Sequence, residues 1–314
     1  MFSNEPPYIQ FYPTLQCNYT CHFCFNKGVS DYKNVKIADF NLISDILKKQ
    51  GIEYIDILGG EPTLHLQLIQ LLEIITAHQL KTTISTNGTN LSLLKAISDK
   101  FLSSSIMIGI SLNSTAISEE LDEYIKHYRP LLKTVFTDIK LFHTLCEKYI
   151  HMPGIEYYLL YRDIVSKEEF TERIPFYQFY TELFKLKKTY KRLDGVFCSG
   201  FLANEEKDAN LHNVRCPAGT TKLSMLPDGS VYPCYLFFRH KEFKLGSILT
   251  MDFESIWKNP LLNYFRTFEK NNCPYTECKL FHSCHGGCPA LSYIFYNSLT
   301  SPDPRCVKKI TVNL

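Results

Sequence analysis

The stretch YIQFYPTLQCNYTCHFC, residues 8–24, decides how the chain is read. Residues 8–14 have the character of a first strand, which leads directly into Cys17, Cys21 and Cys24. Three thiols within eight residues, on a loop after a strand, make a compact soft-ligand site. A zinc site asks for two ligands here and two elsewhere, or for three and a histidine. His22 lies inside the loop, where it is expected to point away from a metal held by its neighbours. A cubane iron–sulfur cluster usually takes four thiolates, so three local ones leave one iron open to a substrate or cofactor. An open metal position is a catalytic feature rather than a structural one.

Outward from this loop, strand and helix signals alternate. Ile37, Phe40, Ile43, Ile46 and Leu47 fall at helical spacing, with Gly51 placed to end the helix. The apolar run IEYIDIL, residues 52–58, runs into Gly59-Gly60, and residues 64–79 are helical in pattern. Residues 81–86 are extended and end at the turn signal Asn87-Gly88. A helix over 91–101, a strand over 105–113 and a long helical region over 118–149, broken at Pro130, follow. A strand over 155–161, a helix over 167–190 and a short strand over 195–201 complete six βα units. That alternation predicts a parallel α/β sheet, whose ligands sit outside the carboxyl ends of the strands. The cysteine loop, Gly59-Gly60, Asn87-Gly88 and residues 111–113 all fall at such ends and are expected to share one face. Beyond 201 prolines, glycines and cysteines become dense, and a boundary near 205 divides a domain of residues 1–205 from one of 206–314.

Composition narrows the function classes. With 45% hydrophobic and 21% charged residues the chain is of soluble globular type, and a net charge of +2 gives no pull toward nucleic acid. The N-terminus has no signal-peptide pattern, and no run approaches the roughly 18 apolar residues a membrane span needs. A cytoplasmic location without a membrane partner is the expectation. There, twelve cysteines point to metal or catalysis rather than to disulfides.

CxxxCxxC at the end of a first strand resembles the signature of the radical S-adenosylmethionine (SAM) superfamily. The resemblance implies a partial (β/α)6 barrel and a [4Fe–4S] cluster on Cys17, Cys21 and Cys24. In that family the amino and carboxylate groups of SAM chelate the open iron. Reduction then cleaves SAM to methionine and a 5′-deoxyadenosyl radical, which takes a hydrogen atom from the substrate. Gly59-Gly60-Glu61-Pro62 resembles the family's GGEP motif for the methionyl amine, with a helix-capping role for Glu61 as the alternative. Thr86 and Asn87, in Ser85-Thr86-Asn87-Gly88, resemble the third-strand end, and Ser111 and Asn113 resemble the Ser-x-Asp that meets the ribose. Asn113 replaces the common Asp, but an amide still bonds a hydroxyl. Arg162, after a strand, is the candidate for the SAM carboxylate, against a solvated surface charge of equal weight.

A second cysteine set runs Cys216-x12-Gly229-x4-Cys234, then Cys273-x4-Cys278-x5-Cys284-x3-Cys288, then Cys306. Seven thiols exceed one zinc site. The spacing resembles the SPASM domain, a small Cys-rich extension with two auxiliary [4Fe–4S] clusters, although the first gap of the later group is four residues where two is usual. The resemblance implies Cys216, Cys234 and Cys288 on one cluster and Cys273, Cys278, Cys284 and Cys306 on the other. Cys198 is the available fourth ligand for the first, and Cys146, in an apolar helical pattern, is expected to be buried packing.

Enzymes of this type mostly modify ribosomally made peptides by crosslinking, epimerisation or oxidation. Peptide modification by hydrogen abstraction is therefore the leading expectation. A dehydrogenase of a small metabolite, a sulfatase-maturase-like oxidation of Ser or Cys, and a non-enzymatic zinc-binding module are the alternatives. Sulfatase-maturing members place an Asp base just after the second SPASM cysteine; here Tyr235 stands there, a poor base but a candidate relay for a proton or electron. Sixteen residues precede Cys17, too few for an N-terminal leader-binding domain, so a leader peptide is expected to be bound by the SPASM region, by the barrel or by a separate leader-binding protein. An electron donor such as flavodoxin or ferredoxin is another.

Overall fold

The computed structural model describes residues 8–29, 34–101, 105–172, 174–196, 216–266, 272–278, 281–284 and 286–306. Strand and helix alternate from the first described residue. β1 (Tyr8–Phe11), α1 (Ile37–Lys49), β2 (Tyr54–Ile57), α2 (Leu68–Ala77), β3 (Lys81–Thr86), α3 (Leu91–Lys100) and β4 (Ile106–Ser111) come first. Then follow α4 (Glu119–Tyr128), β5 (Leu131–Phe136), α5 (Ile139–Tyr149), β6 (Tyr157–Tyr161), α6 (Glu169–Glu172), α7 (Phe176–Thr189) and β7 (Leu193–Val196). β1 to β7 pair in chain order, all parallel, as repeated βα crossovers require.

The period-two pattern of the strands separates two faces. Ile9, Phe11, Ile55, Ile57, Ile84, Ile110, Leu132 and Leu159 are fully buried in the apolar core that the helices share. The alternate positions, among them Gln10, Asp56, Ser85, Ser111, Lys133 and Tyr158, are half-buried on the opposite face. Register links them across the sheet: Gln10 stands beside Asp56, Ser111 beside Lys133, and Lys133 beside Tyr158. One face is therefore apolar and closed, and the other polar and partly open.

Between β1 and β7 the sheet holds one parallel strand more than expected. The six expected strands correspond to β1–β4, β6 and β7, and the region expected to be helical over 118–149 contains β5. Arg129 ends α4 in the left-handed conformation and Pro130 cannot continue a helix, so LLKTVF extends into the sheet. The helix expected over 167–190 is two helices, α6 and α7, with Pro175 capping the second. β7 occupies residues 193–196, and residues 197–201 of the expected last strand lie outside the described residues. Cys146 on α5 is buried in the core, in the packing role expected of it.

Beyond the boundary expected near 205 the sheet continues. β8 (Lys222–Met225) pairs in parallel with β1, and β9 (Ser230–Tyr232) and β10 (Gly246–Ser247) extend it antiparallel. Gly229, at φ +76°, makes the β8–β9 turn. The helices α8 (Phe253–Trp257), α9 (Asn263–Arg266), α10 (Phe281–Cys284) and α11 (Pro289–Tyr296) follow. No helix among the described residues is long and apolar enough to cross a membrane.

A buried ion pair braces this second region. Arg305 donates from Nε and Nη2 to the Asp303 carboxylate at 3.0 and 2.8 Å. The same carboxylate accepts the backbone N–H of Cys288 at 2.9 Å, just before α11. Removing one partner strands a buried charge. Asp303→Ala is therefore expected to cost about 3–5 kcal/mol. Urea unfolding checks this, and a loss below about 1 kcal/mol would assign the pair no more than a surface bridge.

Candidate functional site

The cysteine loop is laid directly on the turn that follows β2. Gly60 N–H donates to the Thr14 carbonyl at 3.0 Å and Glu61 N–H to the Gln16 carbonyl at 2.7 Å. A Cβ on Gly60 would stand 2.1 Å from the Gln16 oxygen, and one on Gly59 2.4 Å from the Thr14 oxygen. Only glycine permits this approach. Asn26 Nδ2 returns from beyond Cys24 to the Gly59 carbonyl at 2.7 Å. Asn18 Nδ2 donates to Thr89 Oγ1 at 2.9 Å, and Asn87 Nδ2 to Asn18 Oδ1 at 2.8 Å. The loop is thus fastened across the carboxyl ends of β2 and β3. Cys17 is exposed, and Cys21 and Cys24 are half-buried. Burial pushes the Cys17 and Cys21 thiols above their ordinary range, and the neighbouring thiols add to the shift.

Glu61 is 1% exposed and fully engaged inside the protein. Its Oε1 accepts from Thr63 N, Thr63 Oγ1 and Thr86 Oγ1 at 3.0, 2.7 and 2.6 Å, and its Oε2 from Asn87 N at 2.7 Å. The side chain caps the short 3-10 turn Pro62–Leu64 and ties the end of β2 to the end of β3. The capping alternative is the one its contacts display. Thr86 also accepts Gly88 N at 3.1 Å. At the next corner Ser111 ends β4, and Asn113 Oδ1 accepts Val135 N at 2.9 Å.

Arg162 follows β6 and is 5% exposed, which removes the solvated-charge reading. Its Nη2 approaches the His22 carbonyl at 3.5 Å and Glu169 at 4.0 Å, and its Nε has no acceptor among the described residues. Tyr12 is 0% exposed, and its hydroxyl also lacks a partner among the described residues. Burial raises its pKa, and Cys234, Asp56, Asp163 and Cys24 press the same way, so all four lie within electrostatic reach of that hydroxyl. Tyr12 is therefore within electrostatic reach of one cysteine from each group.

Tyr235, singled out in the sequence, donates its O–H to the Asp163 carboxylate. Its ring lies 4.5 Å from that of Phe25, the residue after Cys24, and Lys222 Nζ sits 5.3 Å from its centre. Asp163 is a site residue that the sequence did not reveal: it lies 72 positions from its partner and belongs to no motif. The polar sheet face adds charges that were also not anticipated. Lys133 Nζ passes over Gly109, where a Cβ would meet Lys133 Cε at 2.8 Å, and donates to Ser85 Oγ at 2.7 Å. Burial raises the pKa of Asp56, opposed by Lys133 and Lys222, and lowers that of Lys133, opposed by Asp56.

In the second region Cys216, Cys234 and Cys288 are buried, whereas Cys273, Cys278, Cys284 and Cys306 are half-buried. Burial pushes the Cys284 thiol up, and Asp303, Cys306 and Cys273 lie within electrostatic reach of it. The exposure classes divide these thiols into the two sets implied by the interleaved spacing. Cys198 lies outside the described residues.

The residues fit a cubane cluster with SAM on its open iron. A cubane takes each thiolate on a separate iron, and Cys17, Cys21 and Cys24 supply three. The Nε of Arg162 and the hydroxyl of Tyr12 are buried polar groups left over at the same strand ends. Both suit a polar ligand that carries a carboxylate.

Residues 11–156 match the Radical SAM superfamily, and residues 216–288 match SPASM, an iron–sulfur cluster-binding domain. Mycofactocin maturase MftC of Mycobacterium ulcerans (strain Agy99) is 24% identical over 343 residues, covering 94% of this chain and 86% of its own. Antilisterial bacteriocin subtilosin biosynthesis protein AlbA of Bacillus subtilis (strain 168) is 25% identical over 326 residues, covering 91% and 68%. Among solved structures, Streptococcus suis SuiB bound to S-adenosylmethionine superposes with a TM-score of 0.78 at 20% identity, covering 96% of this chain and 77% of that one. SuiB bound to the precursor peptide SuiA gives 0.77 at 19% identity, covering 97% and 76%. At that identity the superpositions show the fold. The domains imply [4Fe–4S] clusters and SAM as cofactors of an enzyme. The chain carries a Radical SAM domain over residues 11–156 and a SPASM iron–sulfur cluster-binding domain over residues 216–288.

Proposed function

We propose that this enzyme cleaves SAM reductively and abstracts a hydrogen atom from a ribosomally made peptide, as a step in that peptide's maturation. The observation that carries the peptide reading is the pair of relatives covering 94% and 91% of the chain, a mycofactocin maturase and a bacteriocin biosynthesis protein. The polar, partly open sheet face supports it, because Asp56, Ser85 and Lys133 offer charged and hydroxyl partners to a polar substrate.

The roles follow from position. Cys17, Cys21 and Cys24 hold the SAM-binding cluster. Cys216, Cys234 and Cys288, with Cys198 as fourth ligand, hold one auxiliary cluster, and Cys273, Cys278, Cys284 and Cys306 hold the other. Bound cluster and SAM supply one-electron cleavage to a 5′-deoxyadenosyl radical. Residues 59–62, Thr86, Asn87, Ser111 and Asn113 lie along the strand ends where SAM would be oriented, and Arg162 offers its guanidinium to the carboxylate. Glu61 contributes by fixing the corner. Tyr235, polarised toward Asp163, holds a proton at the phenol oxygen and has a carboxylate ready to receive it. A domain boundary near 205, a separate leader-binding protein, a flavodoxin- or ferredoxin-type donor and a cytoplasmic location complete the proposal.

Anaerobically reconstituted protein is expected to carry about twelve iron atoms, as three cubanes require. With SAM and reductant it should release 5′-deoxyadenosine. Replacing Cys17, Cys21 and Cys24 with Ala should remove about four of those irons and abolish that release; cleavage that survives with those irons absent would sink the assignment. Tyr235→Phe and Asp163→Asn are expected to retain SAM cleavage while peptide product, measured by mass spectrometry, falls about 10²-fold. Equal product from both variants would remove the pair from the mechanism.

A further inference from the structure

Arg239 lies five positions after Cys234, in the SPASM domain, but its side chain reaches the other cysteine loop. Nη2 donates to the Phe25 carbonyl at 2.6 Å and also to the Lys27 carbonyl, one and three residues after Cys24. Nη1 of the same guanidinium is buried and has no acceptor among the described residues. Cys24 and Glu169 are the ionisable groups in electrostatic reach of it. A fixed cation with an unused donor thus stands at the end of the loop that carries three thiols. The sequence contains no signal for it, since Arg239 belongs to neither cysteine pattern.

We infer that Arg239 is a positioning residue through which the SPASM domain clamps the Cys17–Cys24 loop and places a positive charge and an N–H donor beside its cluster. This rests on the assignment of Cys17, Cys21 and Cys24 as the ligands. The consequence is electrostatic. Reduction adds one negative charge to a cluster already bound to three thiolates, and a nearby cation stabilises the reduced form more than the oxidised one. Net charge and hydrogen bonds toward the sulfurs are among the factors that set such potentials. Arg239 therefore makes this cluster easier to reduce, and the effect requires both domains to be folded together.

The test uses the full-length holoenzyme without any peptide. Iron and sulfide are measured, and the cluster is titrated by EPR, using the response of its reduced signal to added SAM to separate it from the auxiliary clusters. Arg239→Gln is expected to keep its iron and to lower the ratio of reduced to oxidised cluster about tenfold at a fixed potential, a shift of about 59 mV downward. Arg239→Lys keeps the charge but not the planar fork, and should lower the ratio about threefold. An Arg239→Gln protein with full iron and the parental potential overturns the inference. If Arg239→Gln loses the iron of this site, Arg239→Lys decides: a lowered potential supports the inference and a parental one overturns it. Absence of any SAM-responsive signal in the parental protein would instead remove the ligand assignment, and this inference with it.

Discussion

The close backbone contact between the cysteine loop and Gly59-Gly60 is the constraint on which the site depends. A Cβ at Gly60 would lie 2.1 Å from the Gln16 oxygen, so any side chain there forces the loop off the sheet. With glycine the N–H groups of the turn donate to the carbonyls of the loop, and the loop inherits the rigidity of β2. Glu61 carries that rigidity one strand further. Its carboxylate gathers four donors from two segments, so its buried oxygens are hydrogen-bonded. A thiol-bearing loop would otherwise be a mobile segment, and the precision a radical centre needs comes from this corner.

The two domains are not independent supports. β8 lies against β1 in the same sheet, on the opposite side from β2, so the strand that launches the cysteine loop is flanked by one partner from each domain. Contacts above the sheet repeat the arrangement: Phe25 packs on Tyr235, Arg239 holds the carbonyls that follow Cys24, and Tyr12 packs edge-on against Phe238 at 4.9 Å. Tyr12 also senses Cys24 and Cys234 together. A chain that carries electron-transfer groups in two domains benefits from such contacts, because they fix the separation of those groups.

How much of this was legible depended on whether the signal was local. The cysteine loop, Gly59-Gly60 and Asn87-Gly88 are short motifs at strand ends, and they stand where the alternation places them. β5 was hidden because LLKTVF follows a helix and precedes another; its one flag, Pro130, reads equally as a kink. The Tyr235–Asp163 and Arg239–Phe25 contacts join residues 72 and 214 positions apart, and no periodicity encodes such pairs. Glu61 shows the opposite case. Its motif marks the right place, yet what the carboxylate does there follows only from the donors that surround it.

The charges on the open sheet face bear on what the site was shaped to accept. Asp56 and Lys133 lie three strands apart, and burial works against the ionised form of each. Burying a charge in this way costs stability. The other face of the same strands carries buried apolar side chains at many positions, among them Ile9, Ile55, Ile57, Ile110 and Leu132. Lys133 moreover uses Ser85 Oγ as its hydrogen-bond acceptor, a neutral partner for an ammonium with three donors. Asp56 and Lys133 are therefore charges that the open face keeps at a cost, where the packed face of the same strands relies on buried apolar side chains.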